Sequence, residues 1–394
     1  MVFLFELNCA GCRPNMQGTA RSKCKLSPQN PNQYHNPAIM SHSVRFTCLV
    51  FSLFPALLLF CLPATAQRKP DVPVDHRFDA LDELFKQNQK DLGQYVVLVW
   101  KDGKIVYQKQ ASDDFTPKMQ APVVRLADWM TAALVMTFVD EGKISLDDKV
   151  TTYIPMFGKY MKGYITIRNC LTNTTGIKVD EGLKKAMENV KFETLEDEVN
   201  SYASRRDIGT NPGTEIFYSN LGPNIAARCL EVVSKKPFER LMSERIIRPL
   251  KMRATSFDSQ TGGAPNPAGG AVGAASDYIS FMAMLMNKGV TPDGKRILSE
   301  KAVQELGTPQ FASLPVKFVP KEIQGAQFGL GCYLMGTGNS AVLLSPNMLG
   351  TTAWIDPCRN YAAILIVAKP EEPKKVIWTS MMNLINTALG GNCN

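Results

Sequence analysis

The stretch VVRLADWMTAALVM, Val123 to Met136, sets two opposite charges, Arg125 and Asp128, at the head of an otherwise apolar run. From Leu126 to Val139 apolar residues fall on nearly every face of a 3.6-residue repeat, which predicts a helix buried all round at the centre of a domain. Gly142 is placed to end it by taking positive φ. Charges at the mouth of such a helix need either a partner or a task, because an unpaired buried charge is costly.

Working outward, FDALDELFKQNQK (Phe78 to Lys90) has helical spacing. YVVLVWKDGKIVYQK reads as a hairpin about Asp102-Gly103. Helices are expected at roughly 180–204, 221–235 and 237–247 from the same periodicity. Residues 258–273 are a Gly/Pro/Ala-rich loop. SDYISFMAMLMNKG restores a helix, with Ser276 as its N-cap and Gly289 as its stop. Past Gln327 the chain reads as several strands, and KKVIWTSMMNLINTAL closes it as an amphipathic helix. Strands at both ends with helices between predict an α/β architecture. An antiparallel sheet flanked by helices would come from residues 75–115 and 327–394. A mainly helical second subdomain would come from residues 116–326.

The chain has 394 residues, 45% hydrophobic and 20% charged, with a formal charge of +8. That is long enough for two subdomains around a sizeable core. Residues 1–66 carry Arg13, Arg21, Lys23, Lys25 and Arg45 against Glu6 alone, so the remainder is only about +4. No basic stripe with interleaved aromatics is visible, and nucleic acid is not an expected partner. VRFTCLVFSLFPALLLFCLPATAQ has the parts of a secretory signal: Arg45, an apolar run from Phe46 to Leu62 broken by Pro55, and Ala64-Thr65-Ala66 before Gln67. Residues 40–66 are therefore read as a signal peptide, and 1–39 as a spurious or disordered extension ahead of Met40. The mature chain would be 67–394, exported to the periplasm or beyond, with no stable membrane anchor after cleavage. It would keep Cys170, Cys229, Cys332, Cys358 and Cys393. Cys170 and Cys229 sit in apolar helical surroundings and read as buried thiols. Cys393 is free to bridge, and the pairing stays open.

Six phrases in register resemble the serine β-lactamase and penicillin-binding-protein-like superfamily, in the branch of class C β-lactamases, esterases and DD-peptidases. They are WMTAALVMTFVDEGKISLDDKVTTYIPMF, ITIRNCLTNTTGI, PGTEIFYSNLG, RIIRPLKMRATSF, GGAVGAASDYISFMAML and GTTAWIDP. The resemblance spans essentially the whole mature chain. It implies three catalytic elements: Ser-x-x-Lys at the start of the central helix, Tyr-x-Asn, and Lys-Thr-Gly or His-x-Gly on an edge strand. Carried over residue by residue, the serine position falls on Arg125 and the lysine position on Asp128. Tyr218 and Asn220 are retained. The third element falls on Ser345-Pro346-Asn347, with no cation and with Asn347 in place of the glycine. Asn173 stands where a histidine is usual.

Acyl transfer needs a nucleophile beside a base. Guanidinium is no nucleophile and stays protonated. A carboxylate at Asp128 cannot do what the ammonium does, and Asn347 adds a side chain where the acyl group must dock. The sole histidine after the signal, His76, lies at the start of the mature chain, so neither a Ser-His-Asp triad nor a zinc site is expected; no cofactor or metal is implied. The expected function is an exported pseudoenzyme, ligand-binding or regulatory. Arg125, Tyr218 and Asn220 would be candidates for holding a small carboxylate or peptide ligand. Alternatives are a weak esterase, amidase or β-lactamase-like hydrolase with an unrecognised nucleophile, and a structural partner of an active relative. Arg125 and Asp128 either pair inside the vacated pocket or leave an open cleft with Arg125 free for an anion.

Overall fold

Tyr95, Val97 and Val99 point to one face of a strand and Val96 and Leu98 to the other, and all five are buried. A strand apolar on both faces belongs to a sheet covered on both sides. The structure is a computed structural model that describes residues 76–179, 191–257, 262–311, 313–336, 338, 341–346, 349–369, 377–391 and 393. The proposed signal peptide and the extension before it lie outside the described residues.

The strands in chain order are β1 (Tyr95–Lys101), β2 (Lys104–Gln110), β3 (Ala121–Pro122), β4 (Ile216–Phe217), β5 (Val272–Gly273), β6 (Val316–Phe318), β7 (Gln327–Phe328), β8 (Tyr333–Met335), β9 (Val342–Pro346), β10 (Thr352–Asp356) and β11 (Tyr361–Val367). Seven form one sheet in the order β2-β1-β11-β10-β9-β8-β7, every neighbouring pair antiparallel. Its first and last strands in sequence lie side by side, one strand in from the β2 edge, where β1 pairs with β11 from Tyr95↔Val367 to Lys101↔Tyr361. Asp102 and Gly103 turn the first hairpin with φ of +48° and +86°, the left-handed pair that an Asp-Gly turn supplies.

The helices are α1 (Asp79–Leu92), α2 (Leu126–Asp140), α3 (Met156–Lys159), α4 (Ile167–Leu171), α5 (Leu195–Arg205), α6 (Leu221–Ser234), α7 (Phe238–Met242), α8 (Ala275–Met286), α9 (Glu300–Leu306) and α10 (Trp378–Leu389). One sheet face packs Val97, Trp354, Ala363 and Leu365 against Phe85 of α1 and Met381 and Ile385 of α10. The other packs Val96, Leu98, Ile364 and Ile366 into a core shared with α2 and α8. From Leu126 to Phe138 every residue of α2 is buried, and Gly142 follows it at φ +66°. This is the α/β, antiparallel-sheet class expected.

Some local expectations change. Ser276 is not an N-cap: Ala274 holds that position without a side-chain bond. The acidic residue next along, Asp277, reaches back to Ala254 N at 2.8 Å and Thr255 Oγ1 at 3.0 Å, tying the helix start to the preceding loop. The helix expected over 180–204 falls partly outside the described residues. Its described part starts at Leu195, where Thr194 Oγ1 accepts from Asp197 N at 3.1 Å. Cys358 and Cys393 form a disulfide, and Cys170, Cys229 and Cys332 are buried thiols.

Candidate functional site

The approach to α2 is a tight bend. Val123 N is fixed to Ala271 O at 3.0 Å beside the β3–β5 pair. Val124 then takes φ +49°, a left-handed value that a β-branched residue avoids. Leu126 N bonds Val123 O and Ala127 N bonds Val124 O, both at 3.1 Å, so the helix begins on three-residue turns. Two side chains clamp the outcome: Tyr278 donates to Leu126 O at 3.0 Å, and Ser345 of β9 donates to Arg125 O at 3.2 Å. Arg125 is thereby the N-cap residue of α2, with Asp128 in its first turn, where the helix dipole favours an anion.

The two charges meet. Arg125 Nη2 forms an ion pair with Asp128 Oδ2, and the residues are 7% and 3% exposed. Arg125 Nη1 donates to Asn220 Oδ1, and Nη2 reaches Ser219 O at 3.4 Å. The guanidinium carbon lies 4.3 Å from the centre of the Tyr218 ring, a cation–π contact. Tyr218 and Ser219 are half-buried and Asn220 is exposed, so these three form the rim and the ion pair the floor. Of the two arrangements expected from the sequence, the structure has the paired one. The pairing is a single contact rather than a two-pronged fork. Arg125 Nε and Asp128 Oδ1 are buried with no hydrogen-bond partner among the described residues.

Burial dominates the electrostatics. It pushes the Asp128 carboxyl up to about 7, against the downward pull of Arg125. Burial also works against the charge on Arg125, but Asp128, Tyr218 and the buried Tyr333 more than offset it, and the guanidinium is held above its ordinary range. Burial raises the Tyr218 hydroxyl, with Arg125 pulling the other way, so the ring stays a neutral phenol.

A residue absent from the sequence reading completes the site. Tyr333 on β8 is buried, its ring centre lies 6.1 Å from that of Tyr218, and it stands close enough to Arg125 to help hold the guanidinium charged. It is delivered by Gly331, at φ +67°, whose α-carbon lies so close to α2 that a Cβ there would stand 2.6 Å from Asp128 O. The signal in the sequence was Gly-x-Gly-x-Tyr over residues 329–333. Asn173, at the usual histidine position, is left-handed at φ +58° and accepts from Ser219 N at 3.1 Å, a structural bond that shapes the rim.

Of the third element, Ser345 is fully buried with its hydroxyl spent on Arg125 O. Asn347 lies outside the described residues. His76 is exposed and bonded to Asp79 at 3.0 Å, with no serine among its partners. Beyond the rim, the Phe217 and Phe318 rings meet tilted, their centres 5.6 Å apart, across the β4–β6 pair. Four surface clefts of 390 to 740 Å³ lie elsewhere, none lined by Arg125, Asp128, Tyr218 or Asn220.

The β-lactamase family model matches residues 81–382. The chain is 23% identical over 322 residues to Protein Rv1367c of Mycobacterium tuberculosis, covering 66% of this chain and 79% of that one. It is 29% identical over 141 residues to the D-alanyl-D-alanine-carboxypeptidase/endopeptidase AmpH of Escherichia coli, a match over 34% of this chain and 37% of that enzyme. The octameric penicillin-binding protein homologue from Pyrococcus abyssi superposes with a TM-score of 0.65 at 19% identity, over 80% of this chain and 78% of that one.

Proposed function

The chain belongs to the β-lactamase family, and from that premise we propose that it is an exported member without serine-hydrolase activity, acting as a regulatory or interaction pseudoenzyme. The observation that carries this reading is the buried Arg125–Asp128 pair at the head of α2. The family's nucleophile and lysine are assigned to these two positions; the guanidinium of Arg125 cannot attack a carbonyl, and the carboxyl of Asp128 is buried against that guanidinium with no hydroxyl nucleophile at position 125 to activate. The guanidinium is also committed to Asp128, Asn220, Ser219 O and the Tyr218 ring. That favours a role through an outer surface over a cleft in which Arg125 anchors a ligand carboxylate. Export is supported by the signal-like segment before Gln67 and by the Cys358–Cys393 disulfide, a bond kept in oxidising compartments.

The test is intact-protein mass spectrometry on folded residues 67–394 treated with a fluorophosphonate and with penicillin-type and cephalosporin-type acyl donors. No adduct is expected. The variant Arg125→Ser/Asp128→Lys, which puts a nucleophile and an ammonium back beside Tyr218, is expected to become labelled by the fluorophosphonate. A stoichiometric adduct on a single serine of the unaltered chain would overturn the reading and identify a nucleophile outside the assigned motif.

A further inference from the structure

The turn after α3 carries the two most exposed large apolar side chains of the described residues, Met161 at 88% and Tyr164 at 77%, with Tyr160 at 45% beside them. The turn is a regular helix stop: Lys162 N returns to Phe157 O at 2.8 Å and Met161 N to Gly158 O at 3.3 Å. Such a stop puts its turning residue in the left-handed region, a position glycine takes without steric cost. Here the turning residue is Met161, at φ +58°. Methionine is disfavoured there twice, by conformation and by holding an apolar side chain in water. Neither folding nor solubility calls for it, whereas a contact outside the chain would.

The turn is held firmly from below. Lys162 is buried, and its ammonium donates to Ala203 O at 2.8 Å and Tyr160 O at 3.2 Å. Phe157 and Ile165, on either side, are buried. Cations flank the exposed residues. Lys149 Nζ lies 5.5 Å from the centre of the Tyr164 ring, Lys159 is exposed next to Tyr160, and Arg205 is exposed at the end of α5, two residues past the Ala203 carbonyl that Lys162 holds. The nearby acids are engaged with partners inside the chain. Asp147 is paired with Arg168, Asp148 takes hydrogen bonds from Ser145 N and Tyr153, and Asp207 faces Lys162.

We propose that the Tyr160–Tyr164 turn is a peripheral docking site for an anionic lipid surface. Met161 would enter the boundary of the acyl region, the two tyrosines would lie at headgroup depth, and Lys149, Lys159 and Arg205 would face the phosphates. Lysines ringing a protruding apolar tip suit a lipid surface better than a protein partner, since lysine is depleted at protein interfaces. The site is a reversible contact and not an anchor. Among the described residues no helix is long and apolar enough to cross a membrane. Export supplies only its cellular setting, and the inference does not depend on the state of the Arg125 site.

The experiment is co-sedimentation of folded residues 67–394 with vesicles of phosphatidylcholine alone or mixed with phosphatidylglycerol. Binding is expected only to the mixed vesicles and is expected to fall at high salt. Lys149→Gln and Lys159→Gln are each expected to weaken it roughly fivefold, and Met161→Asp to abolish it with the circular dichroism unchanged. No binding to the mixed vesicles, or equal binding by all variants, would overturn the proposal. So would self-association in the ultracentrifuge that is lost in Met161→Asp without vesicle binding, which would assign the turn to a second copy. None of these outcomes bears on acylation, so failure here leaves the reading of the Arg125 site standing, and an adduct there leaves this site standing.

Discussion

Asp128 decides what kind of buried pair this is. Desolvation of two ions costs several kcal/mol each, and their attraction repays it only when the geometry is good and the remaining polar atoms are bonded. Here Arg125 Nε and Asp128 Oδ1 have no partner among the described residues, and burial lifts the carboxyl to about 7. In the unfolded chain it titrates near 4. Between those values the folded protein holds a proton that the unfolded chain has released. That contribution to stability is complete below the unfolded value and is lost as the pH rises through about 7. Asp128→Asn removes the titration, so the urea midpoint of the variant is expected to change less between pH 5 and 8 than that of the unaltered protein. Parallel profiles would show that the carboxyl stays ionised throughout. The presence of the two charges was legible in VVRLADWMTAALVM. Their pairing was one of two open arrangements, because periodicity says that a position is buried and not which atoms meet there.

At the scale of elements, the site depends on how closely the β7–β8 turn approaches α2. Gly331 N bonds Leu171 O at 3.0 Å, and its missing side chain lets the turn rest on the first turn of the helix. A Cβ there would also stand 2.7 Å from that of Ala132. Gly331→Ala is expected to cost about 2–4 kcal/mol, adding overpacking to left-handed strain, and to shift the near-ultraviolet signal of the Tyr218–Tyr333 pair. Gly294→Ala, at φ +84° with nothing within 4 Å, carries strain alone and is expected to cost about 1–2 kcal/mol. Equal losses in urea unfolding would contradict the close-packing account. Tyr333 escaped the sequence reading for the same reason that Gly331 matters. Its role comes from a contact between segments some two hundred residues apart, and no local pattern encodes that distance.

At the scale of the whole molecule, burial of α2 supports the ion pair. Leu126, Trp129, Met130, Leu134 and Phe138 are fully buried, and each such side chain stabilises by roughly 1.5–3 kcal/mol. That outweighs the few kcal/mol by which one imperfect ion pair is unfavourable. The Cys358–Cys393 bond joins the turn between β10 and β11 to the residues after α10 across a separation of 35 residues. Closing a loop of that length stabilises by roughly 3–4 kcal/mol in the chain-entropy model. Cys358→Ser/Cys393→Ser is therefore expected to lower the unfolding free energy by about 2–4 kcal/mol, and reduction of the unaltered protein to do the same. A loss under about 0.5 kcal/mol would mean that α10 holds the chain end without help.

The architecture could be read from the sequence because it follows from periodicities: a strand apolar on both faces, a helix apolar all round, and Asp-Gly between two β-rich runs. The exchange of charges at the head of α2 could be read from six phrases in register. Tertiary structure alone decided that Arg125 turns inward to Asp128 and stacks on Tyr218, that Ser345 bonds a backbone carbonyl, that Cys358 pairs with Cys393, and that Met161 stands in water. Hydrophobic pattern specifies which residues leave water. Which polar atoms then satisfy one another depends on distances across the fold, set when the sheet and α2 close on each other.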